Sequence, residues 1–517
     1  MTYSDCMNQI TKDEIFSGLL GYGLFSDRLP PFLTSEKYLI HAISNPFSNK
    51  KYDSQYIFYD NYRNINIPRI LAIPTPFAYE NLCRVISENW ELLQAYFADK
   101  TSNNSYKISR IHIRKLAKTN ALFKMNYDKW KIDGFPEPDL LIDKKYLVKA
   151  DISNCFPSMY THSLAWALAT KPIAKQNSRN PDEWYNKIDT YSQKIKDKET
   201  HGFLIGPHVS NLLSEIILVD IDEKLSRKWN YIRKIDDYSC YVKTKEEADS
   251  FLLDLVTELK KYDLLINQKK ISVIELPQTA EEDWRISLNK AKYLLFSNPP
   301  CISYNNLKNY LDTVVELTKK YKDAAILNYA LKILSGIKKS ANSKKSKIKF
   351  SDNAIVYFKK IIVHYILLYP YLIQFFEELG ILPFEMTNED IYKASNLFFN
   401  EGITKKNFEL CSYALLFSIK NNSLIDSFEF QKIIDSDHCI LLLLSYLYAN
   451  KHNLSEVKMK LLDYAKQLAQ NKEDFERNWL FVYELLQKDD LNNEWKCIKK
   501  KKISFIDETK LTDYKKI

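Results

Sequence analysis

Two adjacent carboxylates, Asp236 and Asp237, are the first residues of this sequence that suggest chemistry. They interrupt YIRKIDDYSCYV (Tyr231–Val242), where strand-favouring residues flank the pair, so the pattern predicts a β-hairpin with both carboxylates at its tip. Neighbouring carboxylates repel one another, and a bound divalent cation would remove that repulsion. A polar turn without any ligand would place the same residue types there, since aspartate is common in turns. The pair alone therefore does not establish a metal site.

A third carboxylate, Asp151, lies upstream at the end of an apolar run. In YLVKADISNCFPSMY (Tyr146–Tyr160), the run Tyr146–Ala150 predicts a strand that leads directly into Asp151. An aspartate at the end of a strand, followed by a turn and a helix, exposes its carboxylate where a neighbouring hairpin tip can reach it. Carboxylates placed in this way can hold two Mg²⁺ ions about 3.5–4 Å apart, the arrangement used for in-line phosphoryl transfer. We therefore predict that Asp151, Asp236 and Asp237 are the catalytic residues and the metal ligands.

The elements that must position these carboxylates lie in the first part of the chain, where strand-like and helix-like patterns alternate. The remainder is almost entirely amphipathic helix, as in Tyr304–Lys322. Breaks are expected at Gly336, Gly380, Pro383, Gly402 and Asn421-Asn422. We predict an α+β domain with an antiparallel sheet over residues 1–300 and an all-α domain over residues 301–517. Stacked helical hairpins would suit the second domain.

Composition and charge narrow the class of protein. Of the 517 residues, 45% are hydrophobic, a fraction typical of soluble globular proteins and too high for wholesale disorder. The formal charge of +9 suits a polyanionic partner but is common among soluble proteins. The eight cysteines are too widely spaced for a zinc site, and the N-terminus lacks the pattern of a secretory signal. No apolar run reaches the roughly 20 residues that span a bilayer, so we expect a cytoplasmic protein without a membrane partner.

Five short motifs resemble those of the reverse transcriptases and follow the same order. Asp151 with Phe156 is similar to motif A of that family, and Asp236-Asp237 is similar to motif C. The other matches are RILAIP of the fingers (Arg69–Pro74), GFLIGPHVSNLLS as motif B (Gly202–Ser214) and LLINQKK as motif D (Leu264–Lys270). The resemblance implies a fingers–palm core that joins deoxynucleoside triphosphates with the help of two Mg²⁺ ions, or Mn²⁺.

The resemblance also implies roles at the nucleotide. Arg69 would bind the incoming triphosphate through charge-assisted hydrogen bonds. Phe156 would stack under the sugar, where its ring leaves no room for a 2′-hydroxyl and so favours deoxynucleotides. Gly206 and Ser210 would begin a helix beside the nascent base pair. Each of these residues would be unremarkable as a structural residue if its motif stood alone.

Two more positions are predicted to act on the metals and on the leaving group. The backbone carbonyl of Ile152, next to Asp151, is expected to be an additional metal ligand. Lys270 could protonate the departing pyrophosphate, although a lone lysine after a strand is usually just solvated.

Departures from the family motifs indicate a particular branch. Lys234 stands two residues before Asp236, where the family usually has tyrosine or phenylalanine. Ile205 replaces the usual glutamine before the motif B glycine, and Asn211 replaces the usual proline after the motif B serine. Because those positions help to seat the primer end and the templating base, the departures argue against ordinary template copying.

Three longer segments resemble the AbiK-type abortive-infection reverse transcriptases, and most closely the branch carried by temperate prophages of enteric bacteria. The segments are Met159–Asn180, Thr200–Pro207 and Phe475–Leu486. This resemblance covers nearly the whole chain and implies a HEAT-like helical domain in place of a thumb. It also implies untemplated DNA synthesis that starts from a tyrosine hydroxyl of the protein and leaves the DNA attached. The implied biological role is anti-phage defence by a homo-oligomer.

The sequence does not single out a priming tyrosine among its 35. Tyr38, Tyr52, Tyr56 and Tyr59 occupy a loop-like stretch and are candidates, although each also suits a structural role. Two alternatives stay open. One is a templated RNA-dependent DNA polymerase of a defence system, and the other is an inert nucleic-acid-binding scaffold, against which the retained aspartates speak.

Overall fold

The computed structural model describes residues 2–63, 67–115, 133–279, 282–295, 301–341, 349–374 and 386–512. Within these ranges, the first part of the chain combines antiparallel strands with helices, and helices dominate from residue 301 onward. The predicted mixture of an α+β part and a helical part is therefore confirmed. The division at residue 300 and the HEAT-like character of the helical part stay predictions.

The strands of the described residues form three small sheets. The strands are β1 (Tyr56–Tyr62), β2 (Pro68–Pro74), β3 (Tyr146–Asp151), β4 (Tyr231–Lys234), β5 (Asp237–Val242), β6 (Ser272–Glu275), β7 (Cys301–Ile302) and β8 (Lys349–Phe350). An antiparallel sheet has the order β4-β5-β3-β6, β1 and β2 form a separate antiparallel ribbon, and β7 and β8 form a short parallel pair. Strand β3 therefore lies beside β5, which brings the end of β3 next to the turn between β4 and β5.

Helices surround the four-stranded sheet. They are α1 (Tyr3–Asn8), α2 (Lys12–Tyr22), α3 (Glu36–Ser44), α4 (Pro76–Glu88), α5 (Trp90–Thr101), α6 (Glu137–Leu141), α7 (Cys155–Ser158), α8 (His162–Ala169), α9 (Lys171–Gln176), α10 (Trp184–Lys194), α11 (Val209–Leu225), α12 (Lys245–Lys260) and α13 (Asp283–Leu294). Helix α11 is apolar on nearly all sides, and such helices are buried. It lies against the sheet, because its Glu215 and Asp222 accept hydrogen bonds from Arg233 on β4.

The remaining helices follow from residue 304 onward. They are α14 (Tyr304–Tyr321), α15 (Ala325–Ala341), α16 (Asp352–Leu368), α17 (Asn388–Lys405), α18 (Phe408–Asn421), α19 (Phe430–Ile434), α20 (Cys439–Lys451), α21 (Ser455–Leu468), α22 (Lys472–Arg477), α23 (Trp479–Leu485) and α24 (Asn493–Lys500). The predicted helix from Tyr304 is confirmed by α14. Local signals set several ends: Thr387 caps α17 by a capping box with Asp390.

The predicted helix break at Asn421-Asn422 is confirmed, because α18 ends at Asn421, and the breaks predicted at Gly380 and Pro383 lie outside the described residues. Gly336 and Gly402 do not interrupt a helix. Gly336 lies within α15, and Gly402 lies in the last turn of α17. A Cβ atom at position 402 would lie 2.5 Å from the Cys411 Sγ on α18, so glycine permits the close approach of these two helices. The break predicted at Gly336 is therefore wrong, and at Gly402 the helix continues to Lys405, with helix packing accounting for the glycine.

The helical part packs back on the start of the chain. The Thr34 amide donates to the Phe505 carbonyl at 2.9 Å, and the Asp507 amide donates to the Phe32 carbonyl at 2.7 Å. Most of the buried apolar residues belong to one connected core, whose members range from Tyr3 to Ile506. In the part of the chain that the structure describes, no helix combines the length and the apolar character needed to cross a bilayer.

Candidate active site

Three aspartates converge where the central strand of the sheet meets the β4–β5 turn. Asp151 ends β3 and is the direct cross-strand partner of Asp237, the first residue of β5. Directly opposed residues of antiparallel strands point to the same face of the sheet. Asp236 completes the group from the turn, and one ligand atom of each aspartate lies within 4.8 Å of the other two. The predicted convergence of these three carboxylates is therefore present in the fold.

Two backbone contacts hold the turn in place. The Ile152 amide donates to the Asp236 carbonyl at 3.1 Å, and the buried Arg233 donates through Nη1 to the Ile235 carbonyl at 2.9 Å. Ile235 itself has a φ of +60°, a left-handed conformation that costs a β-branched residue free energy. These contacts over-determine the turn, so it presents Asp236 and Asp237 in one orientation.

The electrostatics of the cluster favour a bound cation. Burial is the largest cause that raises the pKa of Asp236, and the charge of Asp151 raises it further. Burial, and then repulsion by Asp236 and Asp151, raises the pKa of Asp237 to about 6. Carboxylate oxygens are the ligands that Mg²⁺ and other hard divalent cations prefer. The donor set and its mutual repulsion therefore fit the predicted divalent metals, with Asp151, Asp236 and Asp237 able to hold them.

Lys270 contacts the cluster directly and is not simply solvated. Its Nζ lies 2.6 Å from Asp151 Oδ2, although 60% of the lysine side chain is exposed. The hydrogen bond with Asp151 is the largest cause that raises the pKa of Lys270. The Asn267 side chain donates to the other carboxylate oxygen of Asp151 at 3.1 Å, and the Asn267 backbone amide donates to the Asp151 backbone carbonyl at 2.7 Å. Sequence reasoning missed Asn267, whose only signal is its place in the same motif as Lys270.

Replacing Lys270 with methionine is expected to strengthen metal binding. The ammonium group competes with a cation for Asp151. Because most of the lysine side chain is exposed, the contact is worth on the order of 1 kcal/mol, so the dissociation constant for Mn²⁺ should fall roughly two- to five-fold. Isothermal titration with Mn²⁺ measures this. Lys269→Met, which removes an adjacent exposed lysine, should leave the constant unchanged. Equal or weaker binding by Lys270→Met would show that the two cations do not compete.

Arg69 lies on β2 and faces the same cluster. Its guanidinium is half-buried and makes no hydrogen bond or ion pair with the residues that the structure describes. Burial lowers the pKa of Arg69, and the nearby Asp236 raises it. Arginine stays charged in such surroundings. The structure thus provides a partly desolvated positive group close to the carboxylates, where a triphosphate could bind.

The motif B loop is joined to the strand that carries Arg69. The Ala72 amide on β2 donates to the Ile205 carbonyl at 2.7 Å. Gly206 has a φ of +127°, and a Cβ atom there would lie 3.0 Å from the Ala72 carbonyl oxygen. Helix α11 begins three residues later, and Ser210 in its first turn is only 2% exposed. The loop therefore needs its glycine for close backbone contact with β2, and Ser210 faces the interior.

Phe156 links motif A to motif B. It lies on the short helix α7 directly after Asp151 and is half-buried. Its carbonyl accepts a hydrogen bond from the Phe203 amide at 2.8 Å. This backbone contact joins the segment that follows Asp151 to the motif B loop.

The middle of the chain matches a known family. Residues 99–296 match the family model for reverse transcriptase (RNA-dependent DNA polymerase), and this span includes the three aspartates, Phe156 and Lys270. The chain therefore contains a reverse transcriptase domain, which indicates a nucleotidyltransferase of the reverse-transcriptase family. Arg69 lies upstream of the matched span.

Several solved telomerase structures resemble the chain weakly. Apo telomerase from Candida tropicalis is 13% identical, with 76% of this chain and 75% of that chain covered and a TM-score of 0.33. The form truncated from the C-terminal domain is 14% identical, with 45% and 52% covered and a TM-score of 0.27. Telomerase from Candida albicans, in complex with the TWJ fragment of telomeric RNA, is 11% identical, with 71% and 67% covered and a TM-score of 0.26.

The match to the truncated telomerase spans about half the length of that chain. No curated protein sequence matches this chain. The match to the reverse transcriptase family is confined to residues 99–296, and the candidate site within that span is formed by the three aspartates.

Proposed function

We propose that this protein is a DNA polymerase that adds deoxynucleotides by two-metal nucleotidyl transfer at Asp151, Asp236 and Asp237. The observation that carries the proposal is the convergence of these carboxylates within 4.8 Å inside a reverse transcriptase domain. When bound, two Mg²⁺ ions there would lower the pKa of the attacking hydroxyl and neutralise charge on the triphosphate. The carbonyl of Ile152 is the proposed additional ligand.

The other site residues act on the substrate in this proposal. Arg69 binds the triphosphate, and Phe156 stacks under the deoxyribose. Gly206 and Ser210 shape the start of the helix beside the nucleotide. The ammonium group of Lys270 leaves Asp151 when a cation takes its place, and it then donates a proton to the departing pyrophosphate. The support for the last step is the exposure of the lysine side chain, which leaves it free to turn.

We further propose that synthesis is untemplated, starts from a tyrosine of the protein and serves anti-phage abortive infection. The support is the resemblance to AbiK-type enzymes, together with the unusual residues Lys234, Ile205 and Asn211. A HEAT-like helical domain, a homo-oligomeric state and a cytoplasmic location belong to the same proposal. A phenol, with a pKa near 10, is a better nucleophile once deprotonated than a far less acidic sugar hydroxyl is.

The four tyrosines first considered as primers are poorly suited to that role. The loop-like interpretation is wrong for Tyr38, which lies on α3, and for Tyr56 and Tyr59, which lie on β1. Tyr38 and Tyr59 are buried and donate to buried carboxylates, and burial raises the pKa of each. Burial also raises the pKa of Tyr52, and a primer must instead reach the site and lose its proton.

The test supplies the purified protein with Mg²⁺ and a single deoxynucleotide, with and without an RNA template and DNA primer. We expect incorporation without either nucleic acid, and mass spectrometry of the nuclease-trimmed protein should find a tyrosine that carries a nucleotide. Incorporation without template into a free primer, with no modified tyrosine, would exclude protein priming alone.

A second candidate is a templated RNA-dependent DNA polymerase, which is the activity in the description of the family matched by residues 99–296. In the same experiment, incorporation that requires both the template and the primer would favour this candidate. No incorporation under any condition would instead favour a nucleic-acid-binding scaffold.

A further inference from the structure

The ribbon that carries Arg69 depends on other elements for its position. It consists of β1 and β2 alone, and an isolated two-stranded ribbon is marginally stable in water. One face of the ribbon, with Ile57, Tyr59 and Ile73, is buried against the rest of the protein. Whatever contacts this ribbon therefore decides where Arg69 points.

The Arg69 end of the ribbon is held by one carboxylate of the helical part. Glu409, in the first turn of α18, is buried and accepts hydrogen bonds from the Asn61 side chain at 2.9 Å and from the Tyr62 amide at 2.7 Å. Asn61 is the direct cross-strand partner of Arg69 in the ribbon. Gln374 donates to the same carboxylate at 2.8 Å, which holds it from the helical side. Glu409 thus contacts the residue directly across the ribbon from Arg69.

Other contacts hold the opposite end. The Trp479 indole donates to the Ile73 carbonyl at 3.3 Å, and the Gln55 amide donates to Glu476 at 3.0 Å. Ile73 pairs with Ile57, near the start of β1 and far from Arg69 along the ribbon. Within the described ranges, every hydrogen bond between residues 59–63 or 67–71 and the helical part has Glu409 as its acceptor. The two ends of the ribbon are therefore held by separate groups.

We propose that Glu409 is a positioning residue for nucleotide binding, which holds Arg69 in its triphosphate-binding position through Asn61 and Tyr62. The inference rests on the proposed function, because it assigns Arg69 to the triphosphate. It also gives the helical part a task at the active site: α18 sets the affinity of the reverse transcriptase domain for its nucleotide. Removing the Glu409 carboxylate loosens the Arg69 end of the ribbon, while the end near Ile73 stays attached to Trp479.

The burial of this carboxylate supports a specific task. Burial raises the pKa of Glu409 to about 7, against the lowering effect of its hydrogen-bond donors. A buried carboxylate contributes little net stability compared with an apolar residue of similar size. Its presence at the contact with Asn61 is explained if the ribbon needs a defined position there.

The test compares the native chain with Glu409→Gln. Both oxygens of Glu409 accept hydrogen bonds, so the amide NH₂ of glutamine must face a donor at one of them. We expect the KM for a deoxynucleoside triphosphate, and the Kd for a fluorescent dATP analogue, to rise about tenfold because a charge-assisted contact is lost. The kcat should change much less. Glu484→Gln is the matched control, since Glu484 is a largely buried carboxylate that accepts from the Phe505 amide at 2.6 Å, away from the ribbon.

A double substitution separates positioning from a general structural role. In an Arg69→Ala background, Glu409→Gln should raise the Kd for the dATP analogue no further, because the group that it positions is absent. Asn61→Leu alone should reproduce the effect of Glu409→Gln. An unchanged Kd in Glu409→Gln, or an equal increase in both backgrounds, overturns the inference. If the native chain incorporates nucleotides in either outcome, the proposed function stands by itself, whereas a native chain that neither binds nor incorporates them overturns both.

Discussion

Replacing Asp236 with asparagine is expected to reduce nucleotide incorporation by about a thousand-fold or more. In the proposed function Asp236 is a ligand of the two catalytic cations, and such a ligand contributes several kcal/mol to stabilisation of the transition state. Asp236 is the aspartate of the turn, and its carboxylate lies within reach of both Asp151 and Asp237. An amide keeps the shape of the side chain but removes the charge that the cations require. Incorporation of a labelled deoxynucleotide with Mg²⁺, followed over time, measures the loss.

The same substitution should not unfold the protein. The neighbouring charge of Asp236 raises the pKa of Asp237, so its removal relieves repulsion in the metal-free protein. We expect Asp236→Asn to melt at the native temperature or above it in the presence of a chelator, and to lose the stabilisation that Mn²⁺ adds to the native chain. Asp143→Asn is the control, because Asp143 is an exposed partner of Lys243 before β3. Near-native incorporation by Asp236→Asn would rule out the aspartate cluster as the catalytic centre.

Replacing Arg233 with methionine should cost about 3–5 kcal/mol of unfolding free energy, because it leaves buried carboxylates without their counter-charge. Arg233 is fully buried and contacts Asp222 at 2.6 Å and Glu215 at 3.2 Å, both on α11. It also donates to the Ile235 carbonyl, so the turn with Asp236 should become mobile in the variant. Urea denaturation followed by circular dichroism measures the loss of stability.

A charge-balanced variant tests the cause of this loss. Arg233→Met combined with Glu215→Gln and Asp222→Asn removes the unpaired charges and should recover most of the stability. The surface control Arg227→Met, whose side chain is 67% exposed, should change stability by no more than about 1 kcal/mol. If Arg233→Met alone were as stable as the native chain, the buried ion pairs could not be holding the turn to α11.

The elements that carry the three aspartates were predictable because they are encoded locally. The apolar run before Asp151 predicts a strand, and the two runs around Asp236-Asp237 predict a hairpin. Both elements form as expected, as β3 and as β4 with β5. The register of β3 and β5 then places Asp151 opposite Asp237. Because side chains alternate between the two faces of a strand, a shift of one residue would move the carboxylate to the other face.

Predictions failed where a residue's role depends on a distant partner. The local pattern around Tyr38 and Tyr59 predicts a loop, but both residues donate from inside the core, to Glu80 and Glu409. The glycine at position 402 predicts a helix break, but the helix continues to Lys405 and the next helix packs against Gly402. In each case the local pattern is compatible with either outcome, and only the packed neighbour distinguishes them.

The sequence by itself determined the residues that could do chemistry: the aspartates, the strands that lead to them and the motif order that resembles reverse transcriptases. Tertiary structure alone decided which groups surround that chemistry. Asn267 and Lys270 bind the two oxygens of Asp151, and Glu409 holds the ribbon residue opposite Arg69. Contacts across more than a hundred residues leave no periodic signal in the chain, because a hydrogen bond between distant side chains depends on how the elements pack and not on local backbone preference.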